Sequence, residues 1–223
     1  MTDTTETDPT ITVLDPAIYP GLDRWEIEQN LKLAAGDLRT RIPPEYTSAT
    51  VTDPVIRSWV TDLVEEAGRT PGPCPGITRG ASEKASLLFL GDVGTGKTWS
   101  AYGAVRALSV SGARCAWELV SAAEIYGRLR PRPKFDTEEE LLRLSKLGVL
   151  VIDDLGAAKD TEFTAEINFR LIDYRQKWHK PTIITSNLQP KQLPTFLGER
   201  VVSRLRAMSV TLPFKGTDRR RAS

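Results

Sequence analysis

From residue 86 onward the chain alternates between short apolar runs and amphipathic stretches of helical length. Leu87-Leu-Phe-Leu reads as a buried strand, and Lys97 to about Val110 as the helix after it. Arg114-Cys-Ala-Trp-Glu-Leu-Val is a second strand, followed by helical patterns at about 122–130 and 137–146. Val149-Leu-Val-Ile is apolar at every position rather than at alternate ones, the mark of a strand covered on both faces. A helix at about 164–178 leads to the strand Thr182-Ile-Ile-Thr, and a last helix at about 199–207 precedes Ser209-Val-Thr-Leu. Strands alternating with helices predict an α/β fold with a parallel sheet of five strands and helices on both faces.

The pattern before residue 86 differs. Residues 1–20 are rich in Thr, Asp and Pro and are expected to be disordered. A weakly patterned helix follows at about 23–38, and Arg41-Ile-Pro-Pro-Glu-Tyr reads as an extended linker because of its prolines. Asp53 then caps a helix with Pro54 at its first position. Ile56, Trp59, Val60, Leu63 and Val64 recur at helical spacing, and Gly68 ends the run. Thr70-Pro-Gly-Pro-Cys-Pro-Gly is a loop, and no internal repeat is visible.

Composition narrows the class. A chain of 223 residues with 40% hydrophobic and 26% charged residues has an ordinary soluble balance, enough for one core and a small appendage. It has no run near the roughly 20 apolar residues of a membrane span, and the acidic N-terminus does not resemble a signal peptide. Cys74 and Cys115 lie far apart and form no metal-ligand pair, so a cytoplasmic protein with reduced thiols is expected. Cys74 reads as a loop thiol and Cys115 as core. The single histidine, His179, argues against histidine-based catalysis and reads as a surface turn residue. Trp59, Trp99, Trp117 and Trp178 read as packing residues. The net charge of +1 conceals an asymmetry: residues 1–30 hold seven acids and one base, whereas the rest carries a net of +7. This permits nucleic-acid binding without demonstrating it.

Gly91-Asp92-Val93-Gly94-Thr95-Gly96-Lys97-Thr98 matches the phosphate-binding loop pattern G-x-x-x-x-G-K-[ST], between an apolar strand and a helical pattern that opens with Thr98 and Trp99. Its glycines let backbone N–H groups curl around anionic oxygens at the positive end of the following helix. Lys97 is expected to reach the β- and γ-phosphates of ATP, and the Thr98 hydroxyl to ligate Mg²⁺. The strand ending in Asp153-Asp154 supplies the second acidic element, because ligands of parallel sheets bind at the carboxyl ends of strands. Asp153 is expected to hold the Mg²⁺ through water and Asp154 to polarise the attacking water. An Asp in the second position is a methylene shorter than Glu, and slow, switch-like hydrolysis is expected. By the same strand-end rule Asn187 points at the γ-phosphate. Arg200 and Arg204, spaced i and i+4, share one helix face, suited either to phosphate contact in a neighbouring subunit or to a solvated basic surface.

Taken together, these elements resemble the AAA+ ATPases, and within them the DnaC/IstB group of bacterial and phage proteins. The resemblance covers about residues 40–218. It rests on Ile42-Pro-Pro-Glu-Tyr46, Gly91–Thr98, Val151-Ile-Asp-Asp-Leu-Gly156, Asp173-Tyr-Arg175, Pro181-Thr-Ile-Ile-Thr-Ser-Asn-Leu188 and Leu197-Gly-Glu-Arg-Val-Val-Ser-Arg-Leu205. It implies a P-loop fold without a full C-terminal lid. It further implies Asn187 as the sensor of the γ-phosphate and Arg204 as an arginine finger in trans, with Arg200 accessory. The helix at 121–130 would line single-stranded DNA through Arg128 and Arg130, with Arg132 and Lys134 nearby, although on sequence alone that basic run is equally a solvated loop. The implied function is a helicase loader or related replication ATPase that binds a replicative helicase and self-associates, with no membrane. An IstB-type transposition helper and a non-hydrolysing nucleotide-dependent interaction module are the alternatives. The expected organisation is an acidic leader over 1–38 with a short partner-binding helix around Trp25–Leu33, an ATPase domain over 39–218 and a basic tail over 219–223.

Overall fold

A computed structural model describes residues 13–19, 21–70, 75–157 and 161–216. The chain divides into two compact units, one drawn from Met1–Ile77 and Tyr102–Cys115, the other from Thr78–Ala101 and Ala116–Ser223. The tail at 219–223 and Cys74 lie outside the described residues.

In the first unit, α1 (Arg24–Arg41) starts where the Asp23 carboxylate accepts from the Trp25 N–H. Only Ile27 and Asn30 of α1 are buried, which explains its faint sequence pattern. The amide of Asn30 donates to the Gly112 carbonyl at 3.0 Å. The disorder expected over 1–20 does not extend to its described part, because Leu14 is buried and its N–H donates to the Ser111 carbonyl at 2.8 Å. The Arg41–Tyr46 linker is likewise not extended throughout. The helix runs to Arg41, and Pro44–Tyr46 forms a 3₁₀ turn with Pro44 at its start, where a missing N–H costs nothing. Helix α2 (Pro54–Arg69) buries the predicted stripe and Ala67. It continues past Gly68, whose bare α-carbon admits the Leu14 and Tyr19 side chains to about 3 Å of where a Cβ would stand. Gly68 is thus a packing position rather than a stop. Cys115 is half-buried rather than core, and burial pushes its thiol pKa up to about 12.

The second unit holds the sheet. Strands β1 (Ser86–Gly91), β2 (Trp117–Ser121), β3 (Val149–Asp153), β4 (Thr182–Ser186) and β5 (Ser209–Phe214) are all parallel, in the order β2-β3-β4-β1-β5. Helix α3 (Lys97–Ser109) follows β1. Between β2 and β3 stand α4 (Ala122–Leu129), begun by a Ser121–Glu124 capping box, and α5 (Thr137–Lys146), begun by Asp136. Helix α6 (Glu162–Lys177) connects β3 to β4. It ends at Trp178 and His179, the latter with φ +48°, a turn as expected. Trp178 departs from its expected packing role, being 54% exposed with its ring tilted against Tyr174. Between β4 and β5 the sequence pattern revealed α8 (Glu199–Met208) but not the one-turn α7 (Leu193–Leu197). Leu88, Leu150, Ile152 and Ile184 from the strands pack with Ile125, Leu144, Leu171, Val202 and Leu205 from these helices.

Among the described residues, Arg175 of α6 is the largest fully buried side chain. Its guanidinium donates to the carbonyls of Leu144, Ser145 and Leu147 at 3.0–3.1 Å, to the Pro181 carbonyl at 2.7 Å and to the Thr182 hydroxyl at 2.8 Å. It therefore ties the C-terminal end of α5 to the start of β4 and to the residue two before β3. Burial lowers its pKa to about 9, leaving it protonated at neutral pH. Replacing Arg175 with Met strands these acceptors, and a loss of about 3 kcal/mol or more is expected. A denaturant unfolding midpoint within error of the parent protein would refute this role.

Candidate functional site

The candidate site is built where β1, β3 and β4 end, because parallel strands present their carboxyl ends on one side of a sheet. After β1 the chain turns back through the loop to α3. Gly94 and Gly96 hold φ of +80° and +95°, a region other residues enter at a cost, so the loop can close only with glycine there. The Thr95 hydroxyl donates to the Asp92 carbonyl at 2.8 Å and pins the turn. Val93 lies at the exposed apex, and Trp99 is half-buried in the first turn of α3. The N-terminal end of α3 follows at once, and the helix dipole favours an anion there.

Lys97 is buried, and its ammonium donates to the carbonyls of Gly91 and Asp92, both at 2.7 Å, and to Asn187 Oδ1 at 2.8 Å. The Thr98 hydroxyl donates to Asp153 Oδ1 at 3.0 Å, and the Thr185 hydroxyl to the same oxygen at 2.6 Å. Thr185 in turn accepts from the Asp154 N–H at 2.9 Å. Asn187 Nδ2 donates to Asp154 Oδ1 at 2.5 Å. Lys97, Thr98, Asp153, Thr185, Asp154 and Asn187 thus form a closed circuit of hydrogen bonds and chain links. Asp154 has φ +57°. Burial and the neighbouring Asp153 raise its carboxyl pKa above the usual carboxylate range, against the opposing pull of Lys97.

Thr185 was not assigned a role from the sequence, where it reads as one of the small polar residues, Thr185, Ser186 and Asn187, that end an apolar strand. The register reveals its place: Leu150 pairs with Thr182 and Ile152 with Ile184, so the next position sets Thr185 beside Asp153.

Arg200 and Arg204 project from α8 toward α6. Both guanidinium groups lie over the Phe169 ring, at 4.1 and 4.4 Å from its centroid, and Arg204 Nε donates to Asp173 Oδ1 at 2.5 Å. Their partners are on α6 rather than in the circuit. The two residues expected at DNA behave differently from each other. Arg128 is ion-paired with Glu118, and lies 3.6 Å from Glu140. Burial opposes ionisation of Glu118, but hydrogen bonds from Arg143 and Arg128 outweigh it and hold the carboxyl below its usual range. Much of the Arg128 charge is therefore compensated within the fold. Arg130 is exposed at the end of α4. Beyond it, Arg132 stacks on Phe135 at 4.1 Å.

The family model of the IstB-like ATP binding proteins matches residues 81–208. The chain is 30% identical over 125 residues to the replicative helicase loader DnaC of Escherichia coli K12, an alignment covering 55% of this chain and 50% of that protein. It therefore spans about half the length of the curated relatives it matches. Among solved structures, that of the DnaC helicase loader superposes with a TM-score of 0.60 at 24% identity, covering 78% of this chain and all of that one. The structure of DnaI also gives 0.60, at 22% identity, covering 80% of this chain and 94% of that one. At these identities the superpositions establish the shared AAA+ type P-loop fold.

The circuit makes Thr185 the residue that holds the Asp153 carboxylate while accepting from the backbone N–H of Asp154. Thr185→Val keeps the shape of the side chain and removes its hydroxyl. It is expected to weaken Mg²⁺-dependent nucleotide binding roughly tenfold or more, as befits a hydrogen bond to a charged group. Fluorescent-nucleotide titration with and without Mg²⁺ checks this, and unchanged affinity would contradict it.

Proposed function

Because the chain belongs to the family of IstB-like ATP binding proteins, we propose that it is an ATP-controlled replication accessory protein that loads or escorts a replicative helicase. The observation that carries the nucleotide part of this reading is the Lys97 circuit, in which a buried ammonium, two carboxylates, two hydroxyls and an amide converge on one phosphate-binding loop. The loop from Gly91 to Thr98 would wrap the phosphates of ATP, with Trp99 following in the helix. Lys97 would exchange its carbonyl and Asn187 partners for β- and γ-phosphate oxygens. The Thr98 hydroxyl and the Asp153 carboxylate, 3.0 Å apart, are the hard oxygen donors that Mg²⁺ prefers. Held by these two residues, the cation would supply charge neutralisation for the phosphates. Asp154 would orient the attacking water and Asn187 would sense the γ-phosphate. Arg204, with Arg200 beside it, would complete the site of an adjacent copy, so hydrolysis would be slow in isolated subunits and depend on assembly.

The helicase-loading part is supported by similarity to DnaC, named a replicative helicase loader, within the matched half of that protein. Single-stranded DNA and a replicative helicase are the partners this reading assigns, and a cytoplasmic location goes with them. No described helix is long and apolar enough to cross a membrane. At the DNA, Arg130 would act as a backbone contact more readily than Arg128, whose charge Glu118 and Glu140 already engage. A transposition helper of the IstB type is the second reading, favoured by the description of the matching family.

Three measurements on the full chain test this. Lys97→Ala is expected to abolish ATP binding. Arg204→Ala is expected to retain binding and to lower hydrolysis by about 10³-fold, the scale of an arginine finger. Co-purification with a replicative helicase and preference for single-stranded over duplex DNA support the loader. Retention of a transposase on duplex DNA, with no helicase held, supports the helper instead.

A further inference from the structure

Helices α6 and α8 face one another with matched pairs of side chains. Phe169 and Asp173 stand at i and i+4 on α6, and Arg200 and Arg204 at i and i+4 on α8, so each pair spans about one helical turn. Like charges at this spacing repel, and both guanidinium groups lie over the Phe169 ring. Only Arg204 has a carboxylate. Its guanidinium is fixed in three ways: its central carbon lies 4.4 Å from the ring centroid, Nε donates to Asp173, and Nη1 donates to the Arg200 carbonyl at 3.2 Å. Arg200 is exposed and makes no ion pair among the described residues.

An ion pair whose side chains are 26% and 41% exposed contributes little to folding. Its effect is on conformation. A surface arginine normally samples many rotamers, and a donor that must order itself on reaching a phosphate loses affinity in doing so. Engagement of Nε and Nη1 orders the side chain beforehand and leaves the Nη2 end for an incoming anion.

We propose that Asp173 is a positioning residue that holds Arg204 in the posture in which it meets the nucleotide of a neighbouring copy of this chain. The proposal rests on the reading of Arg204 as a finger acting in trans. Phe169 is the platform, and Asp173 sets the rotation of the guanidinium on it. Asp173 touches no reacting atom, and the pocket of its own subunit is independent of it.

Steady-state ATP turnover of the full chain tests this through mixed assemblies. Asp173→Ala is expected to lower kcat about tenfold with the KM for ATP and the denaturation midpoint unchanged. Asp173→Asn keeps an oxygen that accepts from Nε and is expected to recover most of the loss. Mixing Asp173→Ala with Lys97→Ala pairs sound pockets with sound fingers, and kcat per Asp173→Ala subunit should rise toward that of the parent. Mixing Asp173→Ala with Arg204→Ala should give no rise, since both subunits lack a well-presented finger. Parent-like kcat in Asp173→Ala overturns the proposal, as does failure of Lys97→Ala to rescue it while the same partner rescues Arg204→Ala. If Arg204→Ala itself turns over normally, or is not rescued by Lys97→Ala, the trans-finger reading fails and takes this proposal with it, a result recognisable without any change at position 173.

Discussion

The arrangement at the candidate site depends on a constraint applied at the opposite end of the sheet. Strand ends converge usefully only if the strands begin level, and in a parallel sheet no hairpin sets their register. Here the buried guanidinium of Arg175 reaches the carbonyls of Leu147 and Pro181 and the hydroxyl of Thr182, just before β3 and at the start of β4. With Leu150 opposite Thr182, five-residue strands of equal length carry Asp153 and Thr185 out side by side. A charged group in an apolar interior costs desolvation, and this one is compensated by five neutral acceptors rather than by a carboxylate. The cost is tolerable because each of its three nitrogens donates to a backbone or hydroxyl oxygen.

At the carboxyl ends the logic is the reverse. The groups that converge there are charged and sit close together, and each is held by partners that a ligand could replace. Lys97 donates to two loop carbonyls and Asn187, so its charge is solvated by the protein while the loop stands closed on itself. Asn187 is the hinge of the network, accepting from the lysine with its oxygen and donating to Asp154 with its nitrogen. Any anion that takes Lys97 away from Asn187 also alters the surroundings of Asp154. The Asp154 carboxylate is thereby linked to Lys97 through a single amide, whereas Asp153 meets the loop directly through the Thr98 hydroxyl.

Much of this was legible in the sequence. Every strand and all but one of the helices of the second unit announced themselves by periodicity and caps, because both faces of the central strands are buried and apolar composition reports burial directly. Lys97, Thr98, Asp153, Asp154 and Asn187 were legible because they stand at strand ends next to a spaced glycine motif. Other features were not. Thr185 needs the register between β3 and β4, which lies in pairing rather than in either string. The one-turn α7 is too short for a period to show. The compensation of Arg128 by Glu118 and Glu140 joins residues ten and twelve positions away across three elements. The continuation of α2 through Gly68 went against residue preference, because tertiary packing outweighed it, and the 3₁₀ turn at Pro44 was hidden because a proline at a first helical position resembles one in an extended linker.

Asp154 stands in the left-handed region of backbone space, with φ +57°. That conformation is itself a filter on residue identity. Aspartate and asparagine enter it far more readily than longer or branched side chains, because their short polar groups bond locally. Position 154 therefore meets two demands, the shape of the turn and the negative charge that the proposed role at the nucleotide would require. Asparagine passes the first filter and fails the second, whereas glutamate keeps the charge and must bear the strain. The shorter acid at the end of β3 is thus explained by the bend of the chain before any question of reaction rate arises.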